Sequence, residues 1–122
     1  MDIKISSGGG KSCLVNLSGF IARDFPIREI FSFKDIEGHP EKLRLDAVTF
    51  LVQEKMGFNL WWWSDEPQLI CPLESRGYFD FEKAQSLHSP KGATGVALSS
   101  FKGPKEGEAE MSFRIILDFT KP

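Results

Sequence analysis

The chain has 122 residues, with 15 Lys and Arg against 17 Asp and Glu and a formal net charge of −2. That suits one globular domain and excludes the broad basic footprint of a nonspecific nucleic-acid binder, so no nucleic-acid partner is expected. At 41% hydrophobic and 26% charged residues it is not disordered, and it is long enough to bury a core without metals or disulfides.

The chain opens with MDIKISSGGGKSCLVNLSGF, which lacks the apolar stretch of roughly 7–15 residues of a signal peptide. No run reaches the about 18 apolar residues of a membrane-spanning helix, so cytoplasmic synthesis and no membrane partner are expected. Strand signals occur at Ile3–Ser6 and Ser12–Leu17. The glycines between them suggest an N-terminal arm or edge segment over residues 1–20, ahead of a single β-sandwich domain over 21–122. The string GGGKS resembles part of a phosphate loop, but Ile5 stands where the motif requires Gly, and a strand rather than a helix follows.

Further strands are predicted at Ile27–Phe33, Leu43–Gln53, Phe58–Trp63, Leu69–Leu73 and Tyr78–Phe81. QEKMGF and LESRGY share a Glu-x-x-Gly-aromatic pattern between strand-like runs. Each predicts a hairpin with Gly57 or Gly77 as the left-handed loop residue. In that register Val52 faces Leu60, Phe50 faces Trp62 and Cys71 faces Phe81. One face of the first hairpin then carries Val48, Phe50, Val52, Leu60 and Trp62, and the other carries Thr49, Leu51, Gln53, Asn59, Trp61 and Trp63.

Residues 80–87 could instead begin a short helix capped by Asp80. The stretches 88–95 and 102–108 are Gly- and Pro-rich loops flanking a strand at Val96–Phe101. The final run, Met111–Phe119, alternates Met111, Phe113, Ile115, Leu117 and Phe119 with Ser112, Arg114, Ile116 and Asp118, as a half-buried strand does. Eight or nine short strands point to an all-β fold, an antiparallel sandwich of the jelly-roll or immunoglobulin-like kind, with Leu43–Gln53 and the last strand as sheet centres.

Chemistry-bearing constellations are thin. Cys13 and Cys71 suit two small buried hydrophobes better than a bridge. With His39 and His88 they are the right types for zinc, but no two are close in sequence, so no metal site is expected. Neither His neighbours a nucleophile elbow, and no cofactor motif is present, so a non-enzymatic role is expected. Trp61-Trp62-Trp63 is the strongest oddity. On a strand Trp62 points to the core while Trp61 and Trp63 share the other face. That ledge is either covered by the chain or is a site for a partner. The candidate site is therefore Trp61 and Trp63 with Asn59, Gln53 and Thr49, and stacking on sugar rings would use the same polar groups.

The stretch LRLDAVTFLVQEKMGFNLWWW, followed by LICPLESRGYFDF, resembles small β-rich proteins encoded among tailed-phage structural genes. The resemblance lies in aromatic strands and Glu-x-x-Gly turns of the central part of the chain, and carries over no functional residue. It implies a virion component, such as a head decoration or head-to-tail accessory protein, that contacts capsid or tail subunits and copies of itself. A carbohydrate-binding module using the Trp ledge is the alternative.

Overall fold

A computed structural model describes residues 1–7, 10–53, 55–81, 87–104 and 110–122. Ten strands are present among them: β1 (Asp2–Ser7), β2 (Ser12–Ile21), β3 (Arg28–Ser32), β4 (Arg44–Val52), β5 (Gly57–Trp63), β6 (Gln68–Glu74), β7 (Arg76–Asp80), β8 (Leu87–His88), β9 (Gly95–Lys102) and β10 (Met111–Thr120). Every predicted strand is found. The two-residue β8 and a 3-10 turn at Phe33–Asp35 are additions. Ser32 caps that turn, its hydroxyl accepting from Lys34 N–H while Asp35 accepts from Ser32 N–H, the reciprocal arrangement of a capping box. The short helix considered for 80–87 falls on residues outside those described, apart from Asp80 at the end of β7, Phe81, and Leu87 at the start of β8.

The strands form two antiparallel sheets. The first runs β1-β2-β10-β4-β7, with β8 also paired to β4, and the second runs β3-β9-β5-β6. Pairs of the two sheets nest along the chain: β5 with β6, β4 with β7, β3 with β9, and β2 with β10. One long hairpin with its tip between Trp63 and Gln68 has been wound around the core, which is the jelly-roll arrangement. The immunoglobulin-like option has a different strand order and is excluded.

The apolar alternation decides which face of each strand is buried. From β2 come Cys13, Val15 and Leu17, from β4 Val48, Phe50 and Val52, and from β10 Phe113, Ile115, Leu117 and Phe119. They meet Phe58, Leu60, Trp62, Leu73, Val96 and Leu98 of the second sheet. Phe119 lies 5.8 Å from the Phe31 ring and 6.2 Å from that of Trp62, so it ties the sheets together. Both cysteines are buried and free.

Of the arm or edge segment expected over residues 1–20, β1 is the edge of the first sheet, and β2 lies inside it between β1 and β10. One expectation is corrected. Neither Glu-x-x-Gly segment closes a hairpin. After Val52, and again at Ser75, the chain leaves one sheet for the other. The left-handed residues are Lys55 (φ 69°) and Ser75 (φ 65°), not Gly57 and Gly77. The glycines serve close approach instead, since a Cβ on Gly57 would collide with the Phe101 ring and one on Gly77 would lie 2.8 Å from the Phe50 ring. Cys71 is therefore opposite Leu60 rather than Phe81, and Phe50 is opposite Gly77 rather than Trp62. The faces were segregated correctly, but Val48, Phe50 and Val52 meet Leu60 and Trp62 across the core instead of alongside them.

A buried charge sits where β4 and β10 lose register. Pairing steps from Asp118–Ala47 to Phe119–Leu45, leaving Asp46 as an extra residue, as in a β-bulge. Asp46 is 4% exposed. It accepts from Arg44 Nε at 2.6 Å and from the Thr120 hydroxyl, which also accepts from Arg44 Nη2 at 3.2 Å. Burial, and then the Asp46 charge, push the Asp118 carboxyl above the usual range.

Replacing Phe119 with Ala should cost about 3–5 kcal/mol, because its ring is enclosed and neighbours in both sheets would face a cavity. Urea melts should show the midpoint falling with an unchanged slope.

Candidate functional site

The predicted site residues divide between two faces, Asn59, Trp61 and Trp63 on one and Thr49 and Gln53 away from it. Thr49 lies on the outer face of β4 in the first sheet, opposite Tyr78 and Ile116. Gln53 follows that strand, and its side-chain oxygen accepts from Ser112 N–H at 2.9 Å. Asn59, Trp61 and Trp63 project from the outer face of β5 in the second sheet. Sheet crossing after Val52 puts a whole sandwich between the two groups, so Thr49 and Gln53 cannot serve a ledge built on Trp61 and Trp63.

Alternation places Trp62 in the core at 4% exposure and leaves Trp61 and Trp63 half-buried on the outer face. The Trp61 indole N–H donates to the Ser99 hydroxyl at 2.9 Å. Ser99 belongs to the neighbouring β9, so the ring leans across that strand. Ala97, the β9 partner of Trp61, has no exposed surface. On the other side Leu69 faces Trp61 across β6 and is 53% exposed. A register break beside it turns Ile70 toward the core. Toward one end Phe101, also exposed, covers Gly57. Toward the other, Trp63 is opposite Gly95, whose missing side chain gives room for the Glu29 carboxylate. Burial, followed by repulsion from Asp35, raises the pKa of Glu29 above the usual carboxylate range. Trp61, Trp63, Leu69 and Phe101 thus make an aromatic and aliphatic stripe, with Asn59, Pro72 and Glu29 at its margins.

A second feature was invisible in the sequence. His39 and His88 line one cleft of about 970 Å³ at the end of the sandwich, between the 33–43 and 89–94 connections. Among the described residues, the carboxylate in its lining is Glu41. No signal in the spacing announces this, because pairing of β4 with β8 and of β3 with β9 brings the connections together. Among the described residues, no three His, Cys, Asp or Glu side chains converge as metal ligands, and no helix is long and apolar enough to cross a membrane. Comparison with protein-family models, curated proteins and solved structures returns no match.

Two measurements check this geometry. Ser99→Ala leaves the Trp61 indole without its acceptor and should cost about 1–3 kcal/mol in denaturant melts. Burial pushes the Cys71 thiol from an ordinary 9.0 up to about 11. A raised folded-state value stabilises fully below the unfolded value and is lost as pH rises through the folded one. Stability should therefore fall between pH 9 and 11, and fall less in Cys71→Ala.

Proposed function

We propose that this protein is a non-enzymatic structural component that works through protein–protein contacts made by the outer face of the second sheet. The observation that carries the reading is the stripe of Trp61, Trp63, Leu69 and Phe101 on that face. Large aromatic side chains are the commonest interface anchors. Trp61 has its polar atom already satisfied within the chain, so covering the ring with an apolar partner strands no donor.

The partner is a neighbouring subunit of a repeated assembly. The tailed-phage resemblance makes that assembly a virion and the protein a head decoration or head-to-tail accessory component. Jelly rolls serve viral capsids, lectins and cupins alike, so topology supports the setting only by analogy. Carbohydrate binding is less well supported by the same face. Sugar sites surround their aromatic platform with free polar groups, whereas here Ser99 is engaged by Trp61 and the flanking residues include Leu69 and Pro72.

Replacing Trp61 and Trp63 together with Ala tests the proposal by co-sedimentation with purified particles and by urea melts. Binding should weaken by more than about tenfold, as loss of two anchors requires. Stability should fall far less than the about 3–5 kcal/mol expected for Trp62→Ala. Destabilisation equal to that of Trp62→Ala would make the stripe part of the core. Glycan-array signals lost in the same double variant would move the function to carbohydrate.

A further inference from the structure

The two connections flanking the His39–His88 cleft are laced at both ends and part between them. At one end Phe33 N–H donates to the Thr94 carbonyl at 2.8 Å, and the Ser32 hydroxyl donates to the same oxygen. At the other, Leu43 N–H donates to the Ser89 hydroxyl at 3.0 Å and Ser89 N–H to the Leu43 carbonyl at 2.8 Å. Between these lacings the lining is apolar at Phe33, Pro40, Pro90 and Ala93, and cationic at Lys34, Lys42 and Lys91. A neighbouring depression of about 380 Å³ shares Lys42, His88 and Ser89 and adds Lys11, Arg44 and Lys121.

Of the 13 Lys and Arg among the described residues, six line these two depressions, whereas of the 13 Asp and Glu among them only Glu41 does. In a protein of net charge −2 that segregation is a local cationic track. Near this end Asp35 caps the Ser32 turn and Glu37 accepts from the Ser7 hydroxyl, whereas Asp46 pairs with Arg44 of the track itself. Lys121 donates to the Glu37 carbonyl at 3.4 Å.

We infer that this cleft binds an acidic peptide segment of a partner protein, with an apolar side chain against Pro40 and Pro90 and carboxylates toward Lys34, Lys42 and Lys91. Continuation of the cationic lining into the second depression suits an extended occupant. Nucleic acid fits less well. The sole guanidinium on the track is tied to Asp46, and its sole Phe, Tyr or Trp is Phe33, 3% exposed and packed edge-on against Trp62. Neither forked phosphate recognition nor base stacking is therefore provided. The cleft shares no lining residue with the Trp61–Trp63 stripe, although Thr94 N–H donates to the Trp63 carbonyl at 2.9 Å, so each inference is tested by its own variants.

Fluorescence anisotropy with a labelled Glu-Glu-Leu-Glu-Glu-Phe-Glu peptide tests this, with an all-Glu peptide of equal length and a short oligothymidylate as competitors. The mixed peptide should bind tightest, and Lys42→Glu with Lys91→Glu should weaken it by about tenfold or more. Arg23→Glu, an exposed charge on the connection between β2 and β3, should leave binding unchanged. Amide resonances of Lys34, His88 and Ala93 in the wild-type protein should shift on titration, which requires no variant to fold. Absent binding, indifference to the charge reversal, or equal or better binding of either competitor would overturn the inference.

Discussion

The sandwich depends on two changes of sheet at one end of the molecule, where Val52 N–H donates to the Ser75 carbonyl at 2.6 Å. One change follows β4 and the other precedes β7, and these two strands pair directly. Lys55 and Ser75 supply the left-handed backbone each change needs, a conformation that costs a non-glycine residue of order 1 kcal/mol or more and is retained when its surroundings demand it. What demands it is the core. Apolar faces of β4 and β5 must oppose one another across the interior, and only a reversal between sheets, not within one, allows that. Gly57 and Gly77 then leave room for the Phe101 and Phe50 rings at the crossings.

Much of this was legible. Alternation located every long strand, and it separated Val48, Phe50, Val52, Leu60 and Trp62 from Thr49, Leu51, Asn59, Trp61 and Trp63. It did not reveal which strand neighbours which, because burying an apolar face is equally satisfied by a hairpin or by two opposed sheets. The Glu-x-x-Gly segments suggested left-handed glycines, whereas the left-handed residue directly follows each Glu. Two local signals mark features that alternation alone does not. Leu43 and Leu45 share a parity that Val48, Phe50 and Val52 break, the mark of the extra residue Asp46. Ser32 and Asp35 carry capping-box spacing ahead of the 3-10 turn. His39 and His88 could not have been joined from sequence, since their proximity depends on two non-local strand pairings.

The same crossings determine what the surface can offer. Thr49 and Gln53 are sent to one outer face and Trp61 and Trp63 to the other, so the second sheet alone displays the aromatic stripe. At the opposite end of the sandwich the longer connections cannot close against each other along their whole length, and their parting creates the cationic cleft. Asp46 contributes by holding Arg44, beside the cleft, inside a satisfied network, so that the cations lining the cleft itself are Lys34, Lys42 and Lys91. Burying a charge pair of this kind adds little net stability, but breaking it by removing one partner is costly. The network thus fixes the register of β4 against β10 and, through β8, the rim of the cleft.

Cross-strand backbone contacts measured by NMR test the wound-hairpin topology most directly. The account predicts nuclear Overhauser effects linking Thr49 with Tyr78 and Phe58 with Ser100, strands that touch only when the chain changes sheets after Val52 and at Ser75. Backbone contacts of Phe50 with Trp62 and of Val52 with Leu60, as in a simple hairpin through Gly57, would contradict it.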